Sequence, residues 1–344
     1  MKETILVTGG TGFIGSHTTV ELQNAGYEVV IADDLSNSQA DVVDGIEKIT
    51  GIRPAFEKVD LRDFDATEAL FKKYPKISGI IHFAANKAVG ESVEKPLMYY
   101  RNNIISLVNL LELMPKYDVK GIIFSSSCTV YGQPDVLPAT EDSPVKKAES
   151  PYGNTKQINE EIIHDYVRSG APIQSIILRY FNPIGSHPTA IIGEMPNGVP
   201  QNLIPYLTQT AIGIREQLSV FGNDYNTPDG SCIRDYIYVV DLAKAHVCAM
   251  TRIMENQIEE PVESFNIGTG TGTSVLELIN TFEKATGVKL NYKIVGRRPG
   301  DIEKVWGNVD KANNVLGWKA DTPLDAVLAS AWKWQCALRE RGIM

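Results

Sequence analysis

The sequence predicts an α/β fold: a doubly wound parallel sheet (Rossmann-type) with a smaller C-terminal α/β lobe. Short aliphatic segments alternate with amphipathic segments of helical period along the first half of the chain, as in repeated strand–helix units. The turn after the first aliphatic segment is rich in glycine. After about residue 182 a stretch rich in proline and glycine follows, which indicates a loop leaving the first domain. We therefore expect one domain over residues 1–182 and a second over 183–344, with some later segments returning to the first.

The aliphatic segments read as buried strands, because each is a near-continuous apolar run of the kind found where helices cover both faces of a parallel sheet. The predicted strands are 4–8, 28–33, 55–60, 79–85, 121–127 and 175–181, with a later one near 264–268. The predicted helices are 12–25, 65–74, 103–117 and 152–168, then about 240–253, 274–286 and 323–338.

Composition excludes several classes of function. The chain has 344 residues, 43% of them hydrophobic and 22% charged, which is ordinary for a globular protein and long enough for two domains. Its formal net charge is −9, so a nucleic acid is not an expected partner. An anionic ligand would need local cationic side chains to overcome the general repulsion.

The cysteines indicate a reducing compartment. Cys128, Cys232, Cys248 and Cys336 are scattered, with no C-x-x-C pair and no histidine at a zinc spacing. We expect free thiols and neither a disulfide framework nor a metal site. No apolar run is long enough for a signal peptide or a membrane span, so a cytoplasmic protein without a membrane partner is expected.

The first turn has the spacing of a dinucleotide-binding loop. Strand 4–8 runs directly into "GGTGFIG", which contains Gly9, Gly12 and Gly15, with Gly10 as an alternative first glycine. Glycines here permit a tight turn and close approach of a pyrophosphate to the N-terminus of the next helix. A strand before and a helix after supply the context that this motif requires.

A carboxylate in the second strand favours NAD over NADP. Asp33 ends that strand eighteen residues after Gly15, where it would accept hydrogen bonds from the ribose hydroxyls and repel a 2′-phosphate. No basic residue lies between 32 and 38. The alternative is that Asp33 and Asp34 only cap the next turn.

A serine run, a tyrosine and a lysine follow in an order that suggests catalysis. Ser127 ends the fifth strand, at the edge where parallel strands meet their ligand. Pro151 would start a helix and place Tyr152 and Lys156 one turn apart on the same face. A free tyrosine titrates near 10 and is a poor base. We expect Lys156, together with a positive nicotinamide, to lower the pKa of Tyr152, and Ser127 to hydrogen-bond a substrate oxygen.

With these residues assembled, the chain resembles the extended short-chain dehydrogenase/reductase family. "VTGGTGFIGSHT" and "SPYGNTK" are typical of the superfamily, whereas the stretches 180–188, 221–241 and 297–301 resemble its UDP-sugar C4-epimerases more closely. The resemblance runs from about residue 4 to about residue 335. It implies an isomerase with tightly bound NAD, an NAD-binding domain over 1–182 and a UDP-sugar-binding domain over 183–344.

The resemblance also implies roles for individual residues. Those expected at the adenosine half of NAD are Phe13, Ile14, Asp33, Asn37, Ser38, Asp60 and Leu61. Those expected at the rest of the cofactor are Phe83, Ala84, Ala85, Lys87, Asn102, Tyr152, Lys156 and Phe181. Ser127 and Tyr152 would meet the sugar. Those expected at the UDP part are Asn182, Asn202, Leu203, Val220, Phe221, Arg234, Arg298 and Asp301. The two arginines suit this role independently, because arginine binds phosphate in a bidentate manner; a surface salt bridge is the alternative.

The reaction that the resemblance implies inverts C4 of UDP-glucose and UDP-galactose through a transient 4-keto intermediate. Tyr152 would remove the 4-hydroxyl proton while NAD takes hydride from C4, and both would return to the opposite face. Members of the family usually form homodimers through helices of the first domain, and 103–117 has the apolar content for that role, although core packing explains it equally well.

Two departures from the family pattern bear on the substrate. Cys128 stands where alanine is common, which we interpret as a neutral packing change. Val305 stands where a bulky tyrosine would narrow the sugar pocket, so we expect UDP-GlcNAc and UDP-GalNAc to be accepted as well. Another NAD-dependent UDP-sugar epimerase or a dehydratase is the enzyme alternative, but Cys128 and Thr129 occupy the places where dehydratases carry carboxylic acids. A non-catalytic NAD-binding regulator is the alternative of another class, and it would be expected to lack Tyr152, Lys156 or the arginines.

Overall fold

The computed structural model describes residues 3–298 and 301–343. Its strands are β1 (Thr4–Thr8), β2 (Glu28–Asp33), β3 (Ala55–Lys58), β4 (Ile77–His82), β5 (Gly121–Ser127), β6 (Gln174–Tyr180), β7 (Asn182–Ile184), β8 (Leu218–Phe221), β9 (Ile233–Arg234), β10 (Tyr236–Tyr238), β11 (Val262–Ile267), β12 (Thr273–Ser274), β13 (Tyr292–Val295) and β14 (Lys304–Val305). Its α-helices are α1 (Phe13–Asn24), α2 (Val42–Thr50), α3 (Phe64–Lys73), α4 (Val89–Glu94), α5 (Pro96–Leu113), α6 (Pro151–Arg168), α7 (Leu203–Ala211), α8 (Val239–Met254), α9 (Val275–Thr286), α10 (Asp310–Val315) and α11 (Leu324–Glu340).

A seven-stranded parallel sheet forms the centre of the molecule, in the order β11-β6-β5-β4-β1-β2-β3. The chain runs outward from β1 to β3 and then restarts on the other side of β1 at β4. This reversal creates a crevice at the carboxyl ends of β1 and β4, which is the usual ligand site of such sheets. The α/β Rossmann-type prediction is confirmed.

Two apolar layers cover the sheet because its strands are aliphatic on both faces. One layer joins Val7, Ile31 and Ile123 to α8 through side chains such as Met250. The other joins Leu6 and its neighbours to α3 and α5. Burial of both faces explains why the strands are continuous apolar runs rather than alternating ones.

The second lobe contains three small sheets with the strand orders β10-β7, β12-β9-β14 and β13-β8. Their core includes Leu207 of α7, Phe282 of α9 and Leu328 of α11. Two later elements belong to the first lobe: β11 pairs with β6, and α8 packs against the same core as β1. The division at residue 182 itself stays a prediction.

The predicted elements are found close to their expected positions, but the structure also contains elements that were not predicted, namely α2, α4, α7, α10 and the short strands β7–β10 and β12–β14. The helix predicted from 103 begins at Pro96, which occupies the first turn, where its missing N–H costs nothing. Among the described residues, no helix has both the length and the apolar character needed to cross a membrane. The four cysteines are unpaired.

Candidate active site at the carboxyl edge of the sheet

The parallel sheet collects the candidate residues at one edge. Each of the first six strands ends there, so the residues that end or follow these strands share it. In strand order they are Gly9, Asp33, Asp60, Phe83, Ser127 and Phe181. They come from distant parts of the sequence and meet only because every strand points in the same direction.

The glycine turn after β1 is as tight as its sequence predicts. Gly9 adopts a φ of +69°, and a Cβ there would lie 2.8 Å from the Ala84 backbone nitrogen. A Cβ on Gly15 would lie 2.3 Å from the Gly9 carbonyl oxygen. Gly12 is the N-cap of α1 and has no side chain to cap it, so the first N–H groups of that helix are free of a side-chain acceptor from this position. These features fit a pyrophosphate, which needs close backbone approach and a helix N-terminus.

Asp33 performs a structural task that the sequence offered as the alternative. Its carboxylate accepts hydrogen bonds from the backbone N–H of Thr11 at 3.2 Å and of Leu35 at 2.9 Å, and from the Ser38 hydroxyl at 3.0 Å. Thr11 and Ser38 also hydrogen-bond each other at 2.7 Å. Asp33 therefore fixes the glycine turn against the loop after β2, and it lies where the adenosine ribose is expected. Asn37 is exposed on the same loop.

The next two loops place the other adenosine and nicotinamide candidates. Asp60 forms an ion pair with Arg62 at 2.6 Å, whereas the carbonyl oxygen of buried Leu61 accepts from Asn109 at 2.8 Å. After β4, Phe83 packs on His246 with ring centroids 4.8 Å apart. The residues that continue this edge are Ala84, Ala85 and Lys87, with Asn102 nearby on α5.

Ser127, Tyr152 and Lys156 meet at the end of β5. Ser150 caps α6 by accepting from the Gly153 N–H at 3.1 Å, and Pro151 occupies the first turn. Tyr152 and Lys156 consequently lie one turn apart on a fixed helix. The Lys156 ammonium donates to the Ser125 carbonyl oxygen at 2.6 Å and lies 5.8 Å from the centroid of the Tyr152 ring.

Burial displaces the pKa values of both groups. It raises the pKa of Tyr152 to about 12, with a contribution from the Cys128 thiol and an opposing hydrogen bond from Ser127. It lowers the pKa of Lys156 to about 8, opposed by the charge of Glu160. In the chain without a cofactor, burial is the largest influence on the pKa of Tyr152, and the Lys156 ammonium donates to the Ser125 carbonyl oxygen rather than to the phenol. The expectation that Lys156 and a positive nicotinamide together lower this pKa applies to the cofactor-bound site and stays a prediction.

Sequence reasoning missed the buried ion pair below this site. Glu160 and Arg179 form a salt bridge at 2.7 Å, with side chains only 7% and 8% exposed. Glu160 also accepts from the Ser126 hydroxyl at 2.5 Å, and Arg179 donates to the Tyr131 hydroxyl at 3.1 Å. This network fixes β5, β6 and α6 relative to one another. The sequence did suggest that Glu160 lies near the site, because Glu160 follows Lys156 by one helical turn on the same predicted helix.

The second lobe contributes a cluster of cations opposite the sheet. Asp301 accepts from the Arg298 guanidinium at 2.8 Å and from the Arg234 guanidinium at 3.4 Å. One carboxylate therefore holds two arginines together, with Arg298 half exposed and Arg234 largely buried. Arg298 also lies 5.7 Å from the centroid of the exposed Phe221 ring. The cluster has the charge and geometry for a diphosphate beside a planar base.

Val305 lies between the two halves of the site. It pairs with Arg234 across β9 and β14 and packs in a small apolar cluster with Cys128 and Phe181. Val305 is only 2% exposed, and burial raises the pKa of the Cys128 thiol to about 12. Val305 and Cys128, the residue that follows Ser127, therefore belong to the same apolar wall. The remaining predicted UDP residues lie in the same lobe, on β7, before and at the start of α7, and on β8: Asn182, Asn202, Leu203 and Val220.

A model of the NAD-dependent epimerase/dehydratase family matches residues 5–268. The chain belongs to this family. A UDP-glucose 4-epimerase of Bacillus subtilis (strain 168) is 50% identical over 331 residues, which cover 96% of either protein. The crystal structure of a UDP-glucose-4-epimerase from Stenotrophomonas maltophila, with bound NAD and formylated UDP-arabinopyranose, superposes with a TM-score of 0.95 at 44% identity, covering 98% of this chain and 99% of that one. The crystal structure of a UDP-glucose 4-epimerase from Bifidobacterium longum, in complex with NAD⁺ and UDP, superposes with a TM-score of 0.93 at 46% identity, covering 97% of this chain and 98% of that one.

The residues of this epimerase/dehydratase family member fit NAD. The close approach required at Gly9 and Gly15 leaves backbone rather than side chains at the turn, and α1 begins uncapped. Asp33 puts a carboxylate at the end of β2, where a 2′-phosphate would be repelled. Among residues 3–298 and 301–343, no cluster of three or more His, Cys, Asp or Glu side chains could hold a metal ion.

Proposed function

We propose that this chain is a UDP-glucose 4-epimerase, which inverts C4 of UDP-glucose and UDP-galactose with tightly bound NAD. The observation that carries the proposal is the arrangement of Ser127, Tyr152 and Lys156 at the sheet edge. Arg234 lies close enough to Cys128 to act on its thiol, and Asp301 holds Arg234 beside Arg298. A 4-epimerase requires a proton-transfer group beside NAD on one side of the sugar and residues that hold the diphosphate on the other. Relatives that are about half identical over nearly the whole chain support it.

NAD, when bound, supplies a reversible acceptor of hydride from C4. Tyr152 takes the proton of the 4-hydroxyl as the C4 hydrogen leaves, which gives a 4-keto sugar. Ser127, which hydrogen-bonds with Tyr152, holds the oxygen during the transfer. After the sugar turns about its bond to the diphosphate, Tyr152 returns the proton while hydride returns to the other face, and the configuration at C4 is inverted.

The clamp explains how the sugar turns without the nucleotide leaving. Arg234 and Arg298 share Asp301, so their guanidinium groups are fixed before the diphosphate binds. The largely apolar wall of Val305 and Cys128 offers the sugar few directional contacts. A firmly held diphosphate and a loosely held hexose permit rotation between the two half-reactions.

Alternative chemistry on the same fold finds little support at this site. Elimination by a dehydratase needs a carboxylic acid beside the active-site serine, and the chain offers Cys128 and Thr129 instead. With its pKa raised to about 12, the Cys128 thiol is not a base near neutrality. We further propose that UDP-GlcNAc and UDP-GalNAc are substrates, because Val305 is smaller than the tyrosine that would narrow this wall.

We also propose that the protein acts as a homodimer in the cytoplasm. The surface of α4 and α5 carries exposed Val93, Leu97 and Ile105, and Leu97 is 78% exposed. Apolar side chains of this size at neighbouring helices suit an isologous contact with a second copy. Sedimentation of the purified protein tests the dimer, and Leu97→Glu should shift it toward monomer. The four free thiols accord with a reducing compartment.

The function is tested with purified protein and no added cofactor. Incubation with UDP-galactose, followed by chromatography of the UDP-sugars, should yield UDP-glucose, and denaturation of the protein should release NAD. If no conversion occurs even after NAD is added, the proposed function is wrong. Parallel incubation with UDP-GalNAc tests the wider substrate range.

A further inference from the structure

One carboxylate joins a candidate of the cofactor site to a candidate of the substrate site. Glu194 Oε1 accepts a hydrogen bond from the Asn202 side-chain amide at 2.7 Å and from the Lys87 ammonium at 3.4 Å. Lys87 lies on the loop after β4 of the sheet, whereas Asn202 precedes α7 of the second lobe. The Glu194 side chain is only 11% exposed although both of its partners are exposed residues.

Glu194 is held in place from the C-terminal helix. The Trp334 indole N–H donates to the Glu194 carbonyl oxygen at 3.0 Å, and a Cβ on Gly193 would lie 2.6 Å from the Trp334 ring. The same helix donates from Lys333 to the Pro188 carbonyl oxygen at 2.7 Å. Hydrogen bonds from α11 thus hold the backbone of segment 188–194.

The other side of this segment is fastened to the first lobe. Ile192 packs into the core beside α2, where a Cβ on Gly45 would lie 2.8 Å from its side chain. Contacts from both lobes therefore fix the backbone at Glu194. A carboxylate on a rigid backbone can impose orientation on side chains that are otherwise free to rotate.

The chemistry of the three groups determines what is oriented. A carboxylate only accepts hydrogen bonds, so Glu194 must face the amide nitrogen of Asn202, and the amide oxygen points elsewhere. Its charge attracts Lys87 across the cleft. Asn202 is a candidate contact of the UDP part, so a carboxylate beside it would repel an anionic ligand unless a cation such as Lys87 offsets its charge.

We infer that Glu194 is a positioning residue that orients Asn202 toward the UDP-sugar and Lys87 toward NAD. This inference rests on the proposed function. It predicts that both ligands depend on a residue that touches neither of them. It also predicts that glutamine at position 194 can still accept the hydrogen bond of Asn202 through its amide oxygen. Being neutral, it cannot provide the charge that attracts Lys87.

Two substitutions separate these effects, with a matched control. Glu194→Ala should weaken UDP binding about fivefold to tenfold, as expected from loss of one positioning hydrogen bond, and should lower the amount of NAD that copurifies. Glu194→Gln should keep UDP affinity within about twofold of wild type while losing NAD as readily as the alanine variant. Glu283→Ala removes a carboxylate with 13% exposure on α9, which accepts from Lys289 and from the Leu290 N–H, and should change neither quantity.

Calorimetry with UDP and absorbance of released NAD provide the readouts without turnover. In an Asn202→Ala background, Glu194→Ala should have little further effect on UDP affinity, because coupled residues are not additive. Tighter UDP binding by both Glu194 variants would show that charge repulsion dominates and would overturn the inference, as would fully additive effects. If wild type binds neither UDP nor NAD, the proposed function fails and the inference falls with it.

Discussion

The Lys156 ammonium donates its hydrogen bond to the Ser125 carbonyl oxygen, although Tyr152 lies one turn away on the same helix. The lysine therefore ties α6 to the end of β5 and leaves the tyrosine phenol beside Ser127. Burial raises the pKa of Tyr152 to about 12 within the chain. We therefore expect Tyr152 to be a protonated phenol in the chain alone, and to act as a base only once a positive nicotinamide lies beside it.

Tyr152→Phe should lower the rate of epimerisation by roughly 10²–10⁴-fold, the usual contribution of a general acid–base group. Binding of UDP should change little, because the residues proposed to hold the nucleotide lie in the second lobe. Tyr166→Phe, on the same helix, provides the matched control and should remain as active as wild type. Activity of Tyr152→Phe close to that of Tyr166→Phe would remove Tyr152 from the mechanism.

Lys156 should reduce stability at neutral pH, because burial in the folded protein lowers its pKa from the ordinary value of 10.5 to about 8. Between pH 8 and pH 10.5 the unfolded chain binds more protons at this lysine than the folded protein does. The contribution of Lys156 to the free energy of unfolding therefore rises with pH across this window and is smallest below pH 8. Between pH 7 and pH 9.5, the free energy of unfolding of the wild type should rise by about 2 kcal/mol relative to that of Lys156→Met.

Urea unfolding of cofactor-depleted samples at both pH values measures this difference. Groups that do not interact with Lys156 titrate alike in both proteins and cancel in the comparison. A difference between the variants that does not change with pH would show that Lys156 is not destabilised by burial.

Arg298→Lys should weaken UDP binding about tenfold, because lysine cannot make bidentate contacts with phosphate oxygens. The turnover number should fall less than the affinity, since the residue acts away from C4. Arg297→Lys is the neighbouring control: Arg297 pairs with Asp224 at 2.7 Å and stacks on Tyr225. Calorimetric titration with UDP decides, and equal losses in the two variants would contradict the role of Arg298.

Val305→Tyr should abolish turnover of UDP-GlcNAc and UDP-GalNAc while sparing UDP-glucose and UDP-galactose. The larger side chain fills the wall shared with Cys128 and Phe181, at a packing cost of about 1–3 kcal/mol. Val305→Ala should retain both activities. Chromatographic assays with the two substrate pairs test this, and loss of both pairs, or of neither, in Val305→Tyr would refute it.

The parallel sheet of the first lobe could be predicted because its signals are local, whereas the short strands of the second lobe carry no such signal. Aliphatic strands, a glycine turn and Pro151 each specify their own element, and parallel strand direction then gathers the residues that end each strand. The start of α5 at Pro96 was predicted too late, since a proline reads equally well as a break and as a first turn.

The candidate site was harder to predict where side chains from distant segments share a partner. The sequence suggested Arg234, Arg298 and Asp301 separately, but only folding shows one carboxylate holding both guanidinium groups. Glu194 had no signal of its own, because a single carboxylate in a proline-rich loop is usually solvated. The direction of the Lys156 ammonium depends on the end of β5, which periodicity does not describe.

The most direct test follows the hydrogen at C4. Purified protein is incubated with UDP-galactose carrying deuterium at C4, in ordinary water, and the UDP-glucose formed is analysed by mass spectrometry and NMR. The account predicts that deuterium is retained at C4, because it leaves and returns as hydride while only the Tyr152 proton exchanges with solvent. Product that has lost the deuterium to water would contradict the hydride cycle and, with it, the role assigned to Tyr152.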